Sequence, residues 1–322
     1  MMNKVFTKKQ LALSELRHEI GSRFDLFICA ASYEGRCLSA PMSVEDGRFK
    51  KVIILKNEDV ADPGAENAKR LVEHFKLSGA SVVTITKSIA IRTADQIAKQ
   101  IDSCQPIAAA KICVDTTCMT HEALLILLSL LRHIFADQFS HIRFLYVPAK
   151  EYDPGTPDAE KWLSRGIKDV RSVLGYPGKL LPSRRNRLLV LVGFEVNRTS
   201  SLINVYEPAS LQLGYGSDAL NPEHQRVNRQ KFDRLVEMHP LAGSFEFSPA
   251  DAYSVRDAIL KDAYQHSDLN LIVAPMNTKI STVGAALAVM ERPEIQLCYA
   301  SASTYNSENY SLPDDRVISF TV

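Results

Sequence analysis

Two short stretches of this chain place an acidic residue among hydroxyl side chains directly after an apolar run. The first is Ser32-Tyr33-Glu34-Gly35-Arg36, which follows DLFICAA, and the second is Asp115-Thr116-Thr117-Cys118-Met119-Thr120, which follows KICV. Each has a counterpart further on. Gly193-Phe194-Glu195-Val196-Asn197-Arg198 follows RLLVLV, and Pro275-Met276-Asn277-Thr278-Lys279-Ile280-Ser281 follows NLIVA. Hydroxyl side chains ahead of an apolar helix (Thr116, Thr117, Thr120, Thr278, Ser281) can cap its free N–H groups or join them in holding an anion. Lys279 adds a positive charge where a phosphate would sit, and Asn277 adds a donor. Ser32 stands in the same stretch as Glu34.

Glu34 and Glu195 carry three readings. Each can pair with its neighbouring arginine, Arg36 or Arg198. Each can accept hydrogen bonds from ribose hydroxyls or a base edge. One can act as a general base or nucleophile. If the chain is an enzyme, Glu34 and Asp115 are its catalytic pair, because glycosidic cleavage needs positioned carboxylates. There is no Walker A sequence, no GxGxxG after an apolar run, no GxSxG, no HExxH and no CxxC. No metal and no cofactor is expected. Tyr146, Tyr152, Tyr299 and Tyr305 could stack on bases or belong to the core.

These stretches recur at fixed offsets. The glutamates differ by 195 − 34 = 161, and Asn67 and Asn228, on two helical segments, differ by 228 − 67 = 161. The tyrosine pairs give 299 − 146 = 153 and 305 − 152 = 153. Polar residues held in register point to an internal duplication.

Short apolar runs alternating with helical patterns must position these residues. DLFICAA, KVIIL, SVVTIT, KICVD and IRFLYVP read as strands, as do RLLVLVGFE, SFEFS, LNLIVAP and IQLCYA. AENAKRLVEHF, HEALLILLSLLRHIF, QRVNRQKFDRLVEMH and STVGAALAVME read as helices. Helix QRVNRQKFDRLVEMH comes directly after RLLVLVGFE, and GYGSD (214–218) reads as a turn. Buried strands alternating with helices imply parallel sheets covered on both faces. The fold class is α/β: two tandem Rossmann-like parallel-sheet halves, expected to pack about a pseudo-twofold axis. Residues 1–150 form the first half, with an N-terminal helix over 7–21. Residues 151–186 form a linker with a short helix, EKWLSRGIKDVRSVL, and 187–322 the second half. Ligands bind such sheets at the carboxyl ends of strands, where the four stretches lie.

Bulk properties narrow the classes. Net charge is +1, from 38 basic and 37 acidic residues, so direct nucleic-acid binding is not expected. The longest apolar stretch, ALLILLSLL, is about half a membrane span, and the N-terminus has no apolar signal core, so a cytoplasmic protein is expected. The six cysteines, Cys29, Cys37, Cys104, Cys113, Cys118 and Cys298, sit mostly in apolar runs and read as buried thiols.

The loop DTTCMTHEALLILL resembles the Asp-Thr-Gly-Gly-Thr-Lys region of CRISPR-associated Rossmann-fold (CARF) sensors and is similar to the related SAVED domains. The motif match covers Asp115–Thr120 and Asn277–Ser281. The resemblance implies a sensor of cyclic nucleotide messengers in prokaryotic antiviral defence. A protein effector partner and a homo-oligomer are both compatible with such a sensor. Three functions stand open: a sensor binding a phosphate-bearing, nucleotide-like molecule; an enzyme cleaving a glycosidic or phosphoester bond of such a molecule; and a non-catalytic assembly subunit.

Overall fold

The computed structural model describes residues 7–21, 23–58, 62–86, 88–103, 110–218 and 221–322. Cys104 lies outside them. The chain runs through β1 (Thr7–Ala12), α1 (Leu13–Glu19), β2 (Phe24–Ala31), α2 (Ser39–Met42), β3 (Phe49–Asn57), α3 (Asp62–His74), β4 (Ser81–Ile85), α4 (Ala90–Asp102), β5 (Ile112–Asp115), α5 (His121–Ile134), β6 (Arg143–Tyr146) and β7 (Ala149–Tyr152). It continues through β8 (Ser164–Ser172), β9 (Asn186–Leu191), α6 (Val196–Tyr206), β10 (Ser210–Gly216), α7 (Pro222–Met238), β11 (Gly243–Phe247), α8 (Ala252–Gln265), β12 (Asn270–Pro275), α9 (Lys279–Glu291), β13 (Gln296–Tyr305), β14 (Ser311–Pro313) and β15 (Arg316–Thr321).

Two compact units result, 1–154 with 307–322, and 155–306. The first is built on a sheet ordered β1-β15-β6-β5-β2-β3-β4, the second on β11-β10-β9-β12-β13-β8. Counted from β2 in one and β9 in the other, both sheets read 3-2-1-4-5. The five strands are parallel, and a sixth is antiparallel beyond the fifth: β15 on β6, and β8 on β13. These are two tandem Rossmann-like halves of an α/β fold. The order reverses between β2 and β5 and between β9 and β12, the switch points at which such sheets open a crevice. The helices α3 and α7, which carry Asn67 and Asn228, occupy the same place in the two halves, between the second and third strands.

The sixth strands are exchanged. After β6, the fifth strand of the first sheet, the next long strand is β8, which closes the second sheet. After β13, the fifth strand of the second sheet, the chain returns through β15 to close the first. The short strands passed on each way, β7 and β14, pair with each other in the first unit.

The elements follow from their residues. β2, FDLFICAA, is buried along nearly its whole length, as a central parallel strand must be. Phe27 stacks on Phe49 at 4.6 Å between ring centroids, and Phe75 closes on both. α5 is apolar nearly all round and is covered accordingly. α9 is built of small residues because α8 lies close against it: a Cβ at Gly284 would run into the Ala252 carbonyl and Val255. No helix among the described residues is long and apolar enough to cross a membrane.

Several expectations are corrected. The helix over 7–21 is half a strand: Thr7–Ala12 pairs antiparallel with β15 across the length of the chain, and only Leu13–Glu19 is helical. The helix in EKWLSRGIKDVRSVL is the strand β8. Its backbone is paired with β13, and Gly166 takes φ +67°, a conformation foreign to a helix. Helix α6 and strand β10 intervene between RLLVLVGFE and the helix α7. GYGSD is not a turn: Gly214 and Gly216 lie in β10, where a Cβ on Gly214 would come within 2.6 Å of the Phe245 ring. Cys29, Cys37, Cys113 and Cys298 are buried free thiols, and Cys118 is half-buried.

Candidate functional site

The switch point of the first unit is filled by its own side chains. Asp115 is 1% exposed, and its Oδ1 accepts from the Thr117 N–H at 3.1 Å and from the Thr117 hydroxyl. Burial pushes its carboxyl up to about 6. The Thr117 hydroxyl in turn accepts from the Val147 N–H at 3.0 Å, and the Thr116 hydroxyl donates to the Leu145 carbonyl at 2.9 Å. Thr120 caps α5 by accepting from the Ala123 N–H at 3.1 Å. The Ser32 carbonyl accepts from the Asn67 amide at 2.9 Å.

Glu34 and Arg36 form a buried ion pair, 2.6 Å apart, with side chains 9% and 5% exposed. Arg36 also donates to the Val147 carbonyl at 3.2 Å and lies over the Tyr152 ring. The same oxygen of Glu34 accepts from the Ser311 hydroxyl of β14 at 2.9 Å. Asp115 and the Glu34–Arg36 pair thus lie within electrostatic reach, Arg36 drawing the Asp115 carboxyl downward against its burial. Burial drives the thiols around them upward, Cys37 to about 12. Those thiols are protonated and inert as nucleophiles near neutral pH.

At the switch point of the second unit, the loops after β9 and β12 close on each other. The Asn277 amide donates to the Val192 carbonyl at 2.5 Å, and a Cβ at Gly193 would run into the Met276 carbonyl oxygen. Thr278 caps α9 by accepting from the Ser281 N–H at 3.0 Å, and its hydroxyl donates to the Pro249 carbonyl at 2.6 Å. Ser281 is fully buried, its hydroxyl on the Thr278 carbonyl at 2.7 Å. Lys279 begins α9 and is half-buried. Asn277, Thr278, Lys279 and Ser281 are therefore brought together with the end of β9, mainly by capping and loop contacts.

Glu195 takes a different partner from Glu34. Its Oε1 accepts from the Leu163 N–H at 2.8 Å and the Ser164 N–H at 2.7 Å, pinning the segment that enters β8 over the end of β9. Burial raises its carboxyl; Arg198 and the two N–H donors oppose that rise. Arg198 is half-buried, and its Nε has no hydrogen-bond partner.

Beneath this pinned segment a pocket of about 420 Å³ opens, lined by residues 158–162 and 164–166, by Phe194 and Glu195 with the first turn of α6, and by one face of α7. Val227, Gln230, Lys231 and Arg234 line it from α7 at helical i, i+3, i+4, i+7 spacing. Lys161, Arg165, Lys231 and Arg234 supply positive charge. Of the three carboxylates in the lining, Asp158 is paired with Lys161 at 3.6 Å and with Arg226 from outside the pocket. Lys231 lies 4.2 Å over the Phe194 ring, and Arg165 4.2 Å over the Trp162 ring. The segment is tied down at both sides: Lys231 donates to the Lys161 carbonyl at 3.0 Å, and Asn306 donates to the Trp162 and Leu163 carbonyls.

Of the expected site residues, Glu195 alone lines this pocket. Lys161, Trp162, Arg165, Lys231 and Arg234 were not anticipated. Three of them fall in the stretch read as a linker, and the only signal for the other two is the basic face of α7.

No protein-family model and no curated protein matches the chain. Among solved structures it is similar to a Type III CRISPR defence DNA nuclease activated by cyclic oligoadenylate, at 9% identity and a TM-score of 0.46, over 82% of this chain and 64% of that one. The chain thus spans less than two thirds of that nuclease. It is also similar to the cytoplasmic domain of a prokaryotic cation chloride cotransporter, at 11% identity and a TM-score of 0.23, over 89% and 98% of the chains. A third is an N-terminal ketoreductase from a macrolactin assembly line, at 9% identity and a TM-score of 0.23, over 90% and 72%. Similarity of this degree assigns no activity.

Proposed function

We propose that the protein binds a phosphate-bearing, nucleotide-like small molecule and that its working site is the pocket of the second unit. The observation that carries this reading is the convergence of four cationic side chains and two aromatic rings at the carboxyl end of the first strand of a Rossmann-like sheet. Guanidinium and ammonium groups recognise phosphate, and aromatic rings stack bases. The resemblance of Asp115–Thr120 and Asn277–Ser281 to CARF and SAVED sensors supports a sensing role in prokaryotic antiviral defence, with occupancy read by a protein effector.

Hydrolysis by Glu34 and Asp115 is disfavoured, because both carboxylates are spent on internal partners and Asp115 is sealed from solvent.

Thermal denaturation with inorganic phosphate, mononucleotides, dinucleotides and cyclic oligonucleotides tests the reading. A ligand at a hundred times its dissociation constant stabilises by about 2.7 kcal/mol. Arg234→Glu, at an exposed position on the pocket rim, should abolish that gain. No stabilisation by any member of the panel would remove the reading and leave the assembly-subunit role.

A further inference from the structure

We infer that the occupant of this pocket is a single ribonucleotide unit, its vicinal hydroxyls on Glu195 and its phosphate on the Lys231–Arg234 face of α7, rather than a cyclic oligonucleotide. The inference rests on the binding function proposed above and names its ligand class.

Size comes first. At about 420 Å³ the pocket lies near the lower end of small-molecule sites, which run from about 300 to 1,000 Å³. One base with its sugar and phosphate is of that scale; a ring of several nucleotides needs several times the space.

The polarity of the lining then orients the occupant. Both N–H donors to Glu195 meet the same oxygen, Oε1. The two N–H bonds fix the plane of the carboxyl group and favour its ionised form against burial. Oε2 is left as an acceptor with no hydrogen bond among the described residues. An oriented carboxylate repels phosphate and takes hydroxyl donors, which a ribose diol supplies in pairs. Phosphate is therefore directed to the cations of α7, where Lys231 and Arg234 stand one turn apart. Trp162 and Phe194 line the same pocket. Each ring has a cation over it, so the Arg165 guanidinium plane on Trp162 is the platform for a base. Asn197 and Gln230 line the same space and offer amide groups to a base edge.

Trp162 is the only tryptophan in the chain, so intrinsic fluorescence reports on this pocket directly. The probes are a ribonucleoside 5′-monophosphate, its 2′,3′-dideoxy analogue, the unphosphorylated ribonucleoside, inorganic phosphate and a cyclic oligonucleotide. The ribonucleotide should quench or shift the Trp162 emission, with the dideoxy analogue bound at least ten-fold more weakly. Glu195→Gln keeps an acceptor for Leu163 and Ser164 and should erase the ten-fold preference. Should that variant misfold, Arg234→Glu serves instead: it should weaken the ribonucleotide but not the unphosphorylated ribonucleoside. Equal affinity for the dideoxy analogue, or a response to the cyclic oligonucleotide with none to the mononucleotides, would overturn the inference while leaving the binding function standing. Silence from every probe in both fluorescence and thermal denaturation would remove both.

Discussion

The two halves place a glutamate at the same position after the first strand and use it for the same architectural task with different chemistry. Glu34 is neutralised by Arg36 and accepts from Ser311, just ahead of β15. Glu195 accepts from Leu163 and Ser164, at the entry to β8. In both, the carboxylate fastens the chain that brings in the exchanged sixth strand. The difference lies in what is left over. In the first half Arg36 uses up the charge, and the surrounding side chains fill the space. In the second half the fastened segment bridges α6 and α7 and leaves a cationic pocket beneath it. A duplicated motif can thus persist for architecture, while the open site is made by a neighbouring segment that the motif only holds in place.

Removing the arginine should separate the halves most. Arg36→Ala strands the buried Glu34 carboxylate and should cost about 3–5 kcal/mol in chemical denaturation. Arg198→Ala, at the matching place, should cost about 1 kcal/mol or less, since its buried Nε is unpartnered. Comparable losses would erase the distinction. Exchanging the residues that precede the aromatics comes next. Gly193→Ser drives a side chain into the Met276 carbonyl and should cost about 3 kcal/mol, whereas Ser32→Gly should cost about 1 kcal/mol. A tolerated Gly193→Ser would mean that the β9 and β12 loops are not in close approach.

A pH profile sharpens the contrast further. Asp115 titrates near 6 when folded against 3.8 for the free side chain. Between those values the native state holds more protons than the unfolded one, so stability falls as pH rises through the window. Asp115→Asn should be more stable than the parent above pH 6, by on the order of 2 to 3 kcal/mol, with the advantage gone below about pH 4. A flat difference across the range would place Asp115 in contact with solvent. The smallest effect is expected from Arg234→Glu, which should change the stability of the unliganded protein by under about 0.5 kcal/mol.

What was legible in the sequence is what local pattern encodes. The continuous apolar runs of β2, β5, β9 and β12 announce parallel strands, and the 161-residue offsets align α3 with α7 as the sheets later do. Thr120 and Thr278 are helix caps, one of the roles their place ahead of apolar helices allows. β1 and β8 were not legible because their conformation is set by strands far away in the chain, β15 and β13. The pocket was hidden for the same reason. Trp162 and Arg165 fall in a segment that reads as a short helix between Pro- and Gly-rich stretches, and only its pairing with β13 and its fastening by Glu195 and Asn306 turn it into a wall.

The exchanged strands set an order of events during synthesis. Residues 155–306 are contiguous, so the second unit holds all its strands as soon as that span has emerged. The first unit, though begun earlier, lacks β15, and β1 has nothing to pair with until residues 316–321 arrive. At ordinary translation speeds the 162 residues from Gly155 to Arg316 take roughly 10–30 s. Through that interval the β6 edge stands open, and the half made first is the half completed last.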